Sequence, residues 1–332
     1  MTYALRRILI TVPLLLAVSF VVFALVDALP GDPAASRFDL HANPEAVREW
    51  RAERGLDDPF LVRWARYVRG VATRFDFGKS YARDDPVGKD IGAKLQATLE
   101  LAFCALGLAI AIGATVGILS ATFPRSPIDY AGSLLALGGI SLPVFWLGML
   151  LWVLVSDVLG FPYRSGRAEA PGFSTGLILF ESVVRLRFDV FLDQARRIVL
   201  PALTLSTIPM AVITRMTRAA MLDEMGKDYA TTARAKGLTR ARVVLKHVLR
   251  NALIPITTVT GLQFGQLLGG AVLTETVFSW PGLGAFIVHD GVEARDTPVI
   301  VAGILLVATT FILINLAVDL CYALIDPRVR RA

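Results

Sequence analysis

The sequence predicts an all-α polytopic membrane protein with six transmembrane helices. Three observations carry that prediction. Of 332 residues, 55% are hydrophobic and only 19% charged, with a mean hydropathy of +0.59, whereas soluble chains average about 25% charged. The charges lie in clumps, separated by long runs with almost none. Six such runs are near the length that crosses a bilayer. The same figures exclude other classes. The apolar content is too high for disorder, and Cys104 and Cys321, the only cysteines, cannot build a disulfide scaffold.

Taken in order, residues 8–26 are uncharged, and residues 98–123 carry only Glu100. Residues 130–156, 198–214, 251–274 and 297–318 carry no charge. A helix rises about 1.5 Å per residue, so roughly 20 apolar residues cross a hydrocarbon core of about 30 Å. The run at 198–214 is short, but Arg197 and Arg215 can snorkel to the two interfaces. The apolar patch at 173–180 is too short to span and reads as interfacial or re-entrant. Arg6-Arg7 before the first run resembles a signal peptide. Nineteen residues exceed a usual signal core, however, and Asp27 stands where a cleavage site needs small residues, so the run is expected to stay as an anchor. The domain reading is a first helix in 1–29, an extracytoplasmic region in 30–97, a five-helix core in 98–325 and a tail in 326–332. Apolar residues recur at helical intervals in 45–75, which predicts short amphipathic helices there.

Six spans place both termini on one side with loops 124–129 and 215–250. Those segments hold fifteen Lys/Arg against six acids, while the opposite short loops hold seven against nine. The positive-inside rule makes both termini and the 215–250 loop cytoplasmic. The net charge of +6 is therefore topology and not a nucleic-acid signature.

The segment 215–255 is the most informative. Asp228 can cap a helix through about Lys236, and Gly237 can end it in a left-handed conformation. Thr239 can cap a second helix running toward the membrane at Pro255. A helix, a glycine break and another helix make a rigid handle. Nine basic residues and three acids on it suit either anionic lipid or a shaped cytoplasmic partner.

DYATTARAKGL at 228–238 followed by HVLRNALIP resembles the cytoplasmic coupling (EAA) loop of ABC-importer permeases, in their dipeptide/oligopeptide branch. Further pieces agree in family order: LPGDP at 29–33, RGLDDP at 54–59, FDFGKSY at 75–81, ATLELA at 97–102 and SLPVFWLG at 141–148. LPALTL at 200–205, ETVFSWPGLG from Glu275, RDTP at 295–298 and DPRVR at 326–330 complete the series. The resemblance implies the type I ABC importer permease fold in the bacterial cytoplasmic (inner) membrane. It also implies a second homologous permease, two cytoplasmic ATPases that carry the ATP and magnesium, and an extracytoplasmic binding protein. ATP would close the ATPase pair, the coupling helices would follow, and the pathway would open outward. Thr231, Thr232, Arg234, Lys236, Gly237 and Leu238 would contact the ATPase. Thr231-Thr232-Ala233 replaces the broad family's Glu-Ala-Ala, which leaves the charge of that contact open. The branch also resembles carriers of glutathione and nickel complexes, so the substrate stays open.

Other features weigh against an enzyme. Gly78-Lys79-Ser80 imitates the end of a phosphate loop, but position 73 is Thr where that motif needs Gly. His41, His247 and His289 show no ligand-like spacing, so no metal is expected. No catalytic residue set appears in the spans, and the shortage of buried acids counts against a stand-alone secondary transporter. Glu100 and Asp319 sit near interfaces, where water or a phosphate can solvate them, and are read as structural. Gly261, Gly265 and Gly269 lie four apart, as do Gly113 and Gly117, and such spacing lets helix backbones approach. Whether the first set packs within the chain or on a partner permease is left open. Gln263 and Gln266 face away from that stripe and, with Asn315, are candidates for the translocation pathway.

Overall fold

The computed structural model describes residues 2–28, 33–38, 43–161 and 163–325. His41, most of LPGDP and the 326–332 tail lie outside them. Helices α1 (Thr2–Asp27), α2 (Pro44–Glu53), α3 (Phe60–Arg74) and α4 (Gly88–Thr122) come first. Then come α5 (Pro127–Ser141), α6 (Val144–Val153), α7 (Ile178–Val184), α8 (Phe188–Met225) and α9 (Asp228–Ala235). The last four are α10 (Arg240–Arg242), α11 (Leu249–Val277), α12 (Leu283–Phe286) and α13 (Thr297–Ile325). Local chemistry sets several starts. The Asn43 side chain accepts from the Glu45 amide and that of Ser126 from Asp129, each with proline at the first helical position.

Four helices are long and apolar enough to cross a bilayer alone, within α1, α4, α8 and α13. Two bent pairs bring the number to six if each counts as one span. The apolar run 130–156 is not one straight helix, as its composition suggested. It folds as α5 and α6, which meet at 108°. Pro143 removes an amide donor and pushes Leu142 into an extended conformation (φ −93°, ψ 134°), which ends α5.

The chain divides into two compact units. The first comprises residues 1–98 and 279–312. In it α3 lies along the Asp27 end of α1. Trp64 Nε1 donates to Ser19 Oγ (3.2 Å), and Phe20 stands edge-on to Phe60 and Trp64, with ring centres 5.4 Å apart in each pair. The expected amphipathic helices in 45–75 are thus α2 and α3. Val22 and Val26 pack with Ile300, Val301 and Leu305, while Val87 and Ile91 pack with Leu283, Phe286 and Val299. The phosphate-loop look-alike is a structural turn: Ser80 Oγ is buried and donates to Asp296 (2.5 Å).

The second unit holds residues 99–278 and 313–332, with α8 at its centre against α5, α6, α7 and α11. This explains the short apolar run at 198–214. Its helix is 38 residues long, and 67% of its apolar window is buried in protein, against 17% for α1, so its surface need not be lipid-compatible all round. Gly113 and Gly117 bring α4 against α8. A Cβ on Gly117 would lie 2.6 Å from Thr217 Cβ and 2.8 Å from the Thr214 carbonyl.

Glu100 corrects an expectation in its detail. It is not solvated by water at an interface but 3% exposed and fully served by protein donors. Arg167 Nε (3.0 Å) and Nη2 (2.6 Å), Gln194 Nε2 (3.0 Å) and the Leu179 amide (2.7 Å) all donate to it. Arg167 also donates to the Gly176 carbonyl, so the 161–177 segment is tied to α4. Glu181 finishes that segment. The Thr175 hydroxyl, with the Ser174 and Thr175 amides and Arg185, holds its carboxyl well below the usual range, at about 2.

Candidate functional site

The loop after α8 is built as a stiff projection. At its entrance Glu224 accepts from Lys227 Nζ (2.5 Å) and the Tyr229 hydroxyl (2.6 Å), and this carboxylate raises the Lys227 amine above its ordinary value. The position before α9 is Lys227, and it makes no side-chain cap. Asp228 is therefore the first helical residue and not the cap expected from sequence. Its charge still lies at the positive end of the helix dipole. Gly237 adopts φ +77°, as expected, and the Leu238 amide reaches back to Ala233 (3.4 Å) in the glycine-terminated form of helix end. Thr239 precedes α10 in extended conformation without a side-chain bond. The second helix runs on through Pro255, as a π-helical turn over Val243–Val248 leads directly into α11.

One face of α9 is buried and the other is free. Ala230 and Ala233 join Met221, Val243, Val244 and Val248 in an apolar cluster, with Leu238 packed at its edge. Thr231, Thr232, Arg234, Lys236 and Gly237 are exposed and Leu238 half-buried. Five of the six residues picked from sequence therefore lie on the exposed side of α9 and its terminal turn, while Leu238 packs at the edge of the buried cluster. Arg234 also braces the projection, donating to the Met225 carbonyl at the end of α8 (2.8 Å).

A second fastening of the loop was not legible in the sequence. Arg218 Nε and Nη2 bond Asp129 at 2.6 and 2.8 Å, and the Arg125 amide adds a third donor at 2.9 Å. The Arg240 guanidinium lies 4.7 Å from the centre of the Phe123 ring. The turn at 123–129 thus grips the 218–240 segment at two points. The only trace in sequence is a lone acid, Asp129, at the head of an apolar run.

On α11, Ile254, Leu262, Gln266 and Gly269 are exposed at helical spacing and form a stripe, with Leu273 and Thr276 exposed beyond the 51° bend that follows Gly269. Gln263 is 6% exposed and donates to Gln266 Oε1 (2.9 Å), so Gln266 alone of the two reaches the surface. Its own amide N–H groups have no partner among the described residues. Asn315 is half-buried. Within this chain the three glycines have different surroundings. Gly261 meets Val318 of α13 within this chain, Gly265 is buried, and a Cβ on Gly269 would meet nothing within 4 Å.

Comparison with known proteins gives two family matches. Residues 113–331 match the binding-protein-dependent transport system inner membrane component, and residues 1–102 match the N-terminal part of such a membrane component. A dipeptide transport system permease protein of Alkalihalophilus pseudofirmus is 42% identical over 333 residues, covering 99% of both chains. Its Escherichia coli K12 counterpart is 44% identical over 335 residues, 99% of this chain and 98% of that one. A glutathione transport system permease protein of Salmonella paratyphi A is 40% identical over 330 residues, 99% of each.

Proposed function

The chain belongs to the family of binding-protein-dependent transport system inner membrane components, and from that membership we propose that it forms half of the translocation pathway of an ATP-driven importer for di- and oligopeptides. What carries the substrate class is identity of 42 and 44% across nearly the whole chain to two dipeptide permeases. The glutathione permease at 40% makes glutathione the second reading. The family description itself supplies the binding protein as a partner. We further assign to the complex a second permease and two cytoplasmic ATPases, with both termini and α9 on the ATPase side. ATP and magnesium belong to those ATPases, and this chain holds no ATPase site.

The geometry supports a division of labour along the chain. The exposed side of α9, from Thr231 to Leu238, enters a groove on the ATPase. Movement there passes to α8 through the Glu224–Tyr229 and Arg234–Met225 contacts, and to α11 through the continuous helix after Thr239. Gln266, on the exposed stripe of α11, meets the substrate path.

Reconstitution with the partner subunits in proteoliposomes tests this. Uptake of a labelled dipeptide should require ATP and the binding protein, and the double change Arg234→Glu, Lys236→Glu should abolish it while the chain stays folded. Uptake by this chain alone, without ATP, would refute the reading.

A further inference from the structure

We infer that the first unit carries a binding site for a lipid phosphate, seated in a cleft at the Asp27 end of α1. The cleft has a volume of 880 Å³. Its floor is apolar, formed by Phe23 and Val26 of α1 and by Ile300 and Val301 of α13. Its rim is basic, and the rim cations are not equivalent. Arg54, Arg63 and Arg66 are each neutralised, by Asp84, Asp27 and Asp58. Lys79 and Arg295, on the same rim, have no ion-pair partner among the described residues.

The cleft also contains donors that lack acceptors. Tyr67 and Arg54 line the cleft, and the Tyr67 Oη and Arg54 Nε atoms are buried with no hydrogen-bond partner among the described residues. A buried donor left without an acceptor is costly, and such groups are rare in folded proteins. Here two lining residues carry such donors, beside two cations without an ion pair among the described residues. The missing group is an anion with several acceptor oxygens. Four acids also line the cleft: Asp27, Glu53 and Asp84 are each ion-paired to an arginine, and Asp76 accepts the Gly78 amide at 2.9 Å through one oxygen. Its other oxygen suits the hydroxyl or ammonium that follows the phosphate in a phospholipid headgroup.

Height in the bilayer selects the carrier of that phosphate. The Trp64–Ser19 bond fixes α3 two turns inward from Asp27, so α3 lies at the boundary between acyl chains and headgroups. Its aromatic side chains suit that level, and Leu61 and Val62 expose 61% and 47% of their surface beside it. A basic rim over an apolar floor at that depth fits a phosphodiester with the first carbons of its acyl chains below.

The test uses the full-length chain in the complex it forms, purified in mild detergent and examined by native mass spectrometry. Wild type should retain a phospholipid through delipidation. Lys79→Gln with Arg295→Gln should lower that retention about tenfold or more, since each cation near the headgroups adds to the attraction. Tyr67→Phe, which deletes one donor and keeps the ring, should give a smaller loss in the same direction. It also provides the decision if the double variant misfolds. Added phosphatidylglycerol should restore occupancy, and inorganic phosphate should not displace the lipid. Displacement by inorganic phosphate would overturn the lipid source and assign the site to free phosphate. Unchanged lipid retention in both variants would overturn the site. Unchanged retention with weakened capture of the binding protein would make the cleft a protein-docking surface instead.

Discussion

Glu100 shows how one buried charge organises a segment far from it in sequence. Its carboxylate takes donors from Arg167, Gln194 and the Leu179 backbone, and it was visible in sequence only as an acid inside an apolar run. Glu100→Leu strands the Arg167 guanidinium, whose side chain is 14% exposed. Breaking a buried pair from one side costs about 3–5 kcal/mol, so this variant should unfold at markedly lower temperature in detergent, with early proteolysis in 161–177. Glu100→Gln keeps an acceptor and should lose less. Glu181 gives a pH signature. Its folded value, about 2, lies below the ordinary one, so its stabilisation is complete above the ordinary carboxylate range and is lost as pH falls toward 2. Proteolytic nicking near Ser174 and Thr175 should therefore increase on acidification below about pH 4.5, and Glu181→Gln should bring the same nicking to neutral pH.

At the scale of elements, α9 depends on a turn that only glycine makes cheaply. Gly237 sits at φ +77°, where a side chain costs about 1–2 kcal/mol. Gly237→Ala should leave the thermal midpoint of the whole chain nearly unchanged yet reduce ATP-dependent uptake, because the strain falls on the projecting turn. Gly117→Leu should do the reverse, destabilising the chain by forcing α4 and α8 apart where no Cβ fits. These two glycines were legible from sequence, one as a helix stop and the other as half of a close-packing pair. The α5–α6 bend was not. A run of uniformly apolar residues has no periodicity to betray a break, and Pro143 alone does not say whether a helix kinks or turns through 108°. The burial of α8 was equally hidden, since hydropathy cannot separate a helix facing lipid from one surrounded by other helices. The exposed residues of α9 could be picked by their resemblance to a known loop. The Asp129–Arg218 and Arg240–Phe123 contacts that steady the loop could not, because they join residues more than 80 positions apart.

For the whole molecule, the six charge-free runs, the basic loop and the family match give one consistent description: a membrane subunit that works through partners. Its net charge of +6 is explained by the segments assigned to the cytoplasm, which carry nine more basic than acidic residues. We propose that α9 transmits the ATPase cycle to the spans. The most direct test is to place a cysteine at Thr232 and cross-link it to the co-expressed ATPase, following the yield with nucleotide and with dipeptide uptake. Cross-linking to the ATPase and loss of uptake once the link forms are the expected results. Full uptake with Thr232→Cys quantitatively modified by a bulky thiol reagent, and no cross-link to any ATPase, would contradict it.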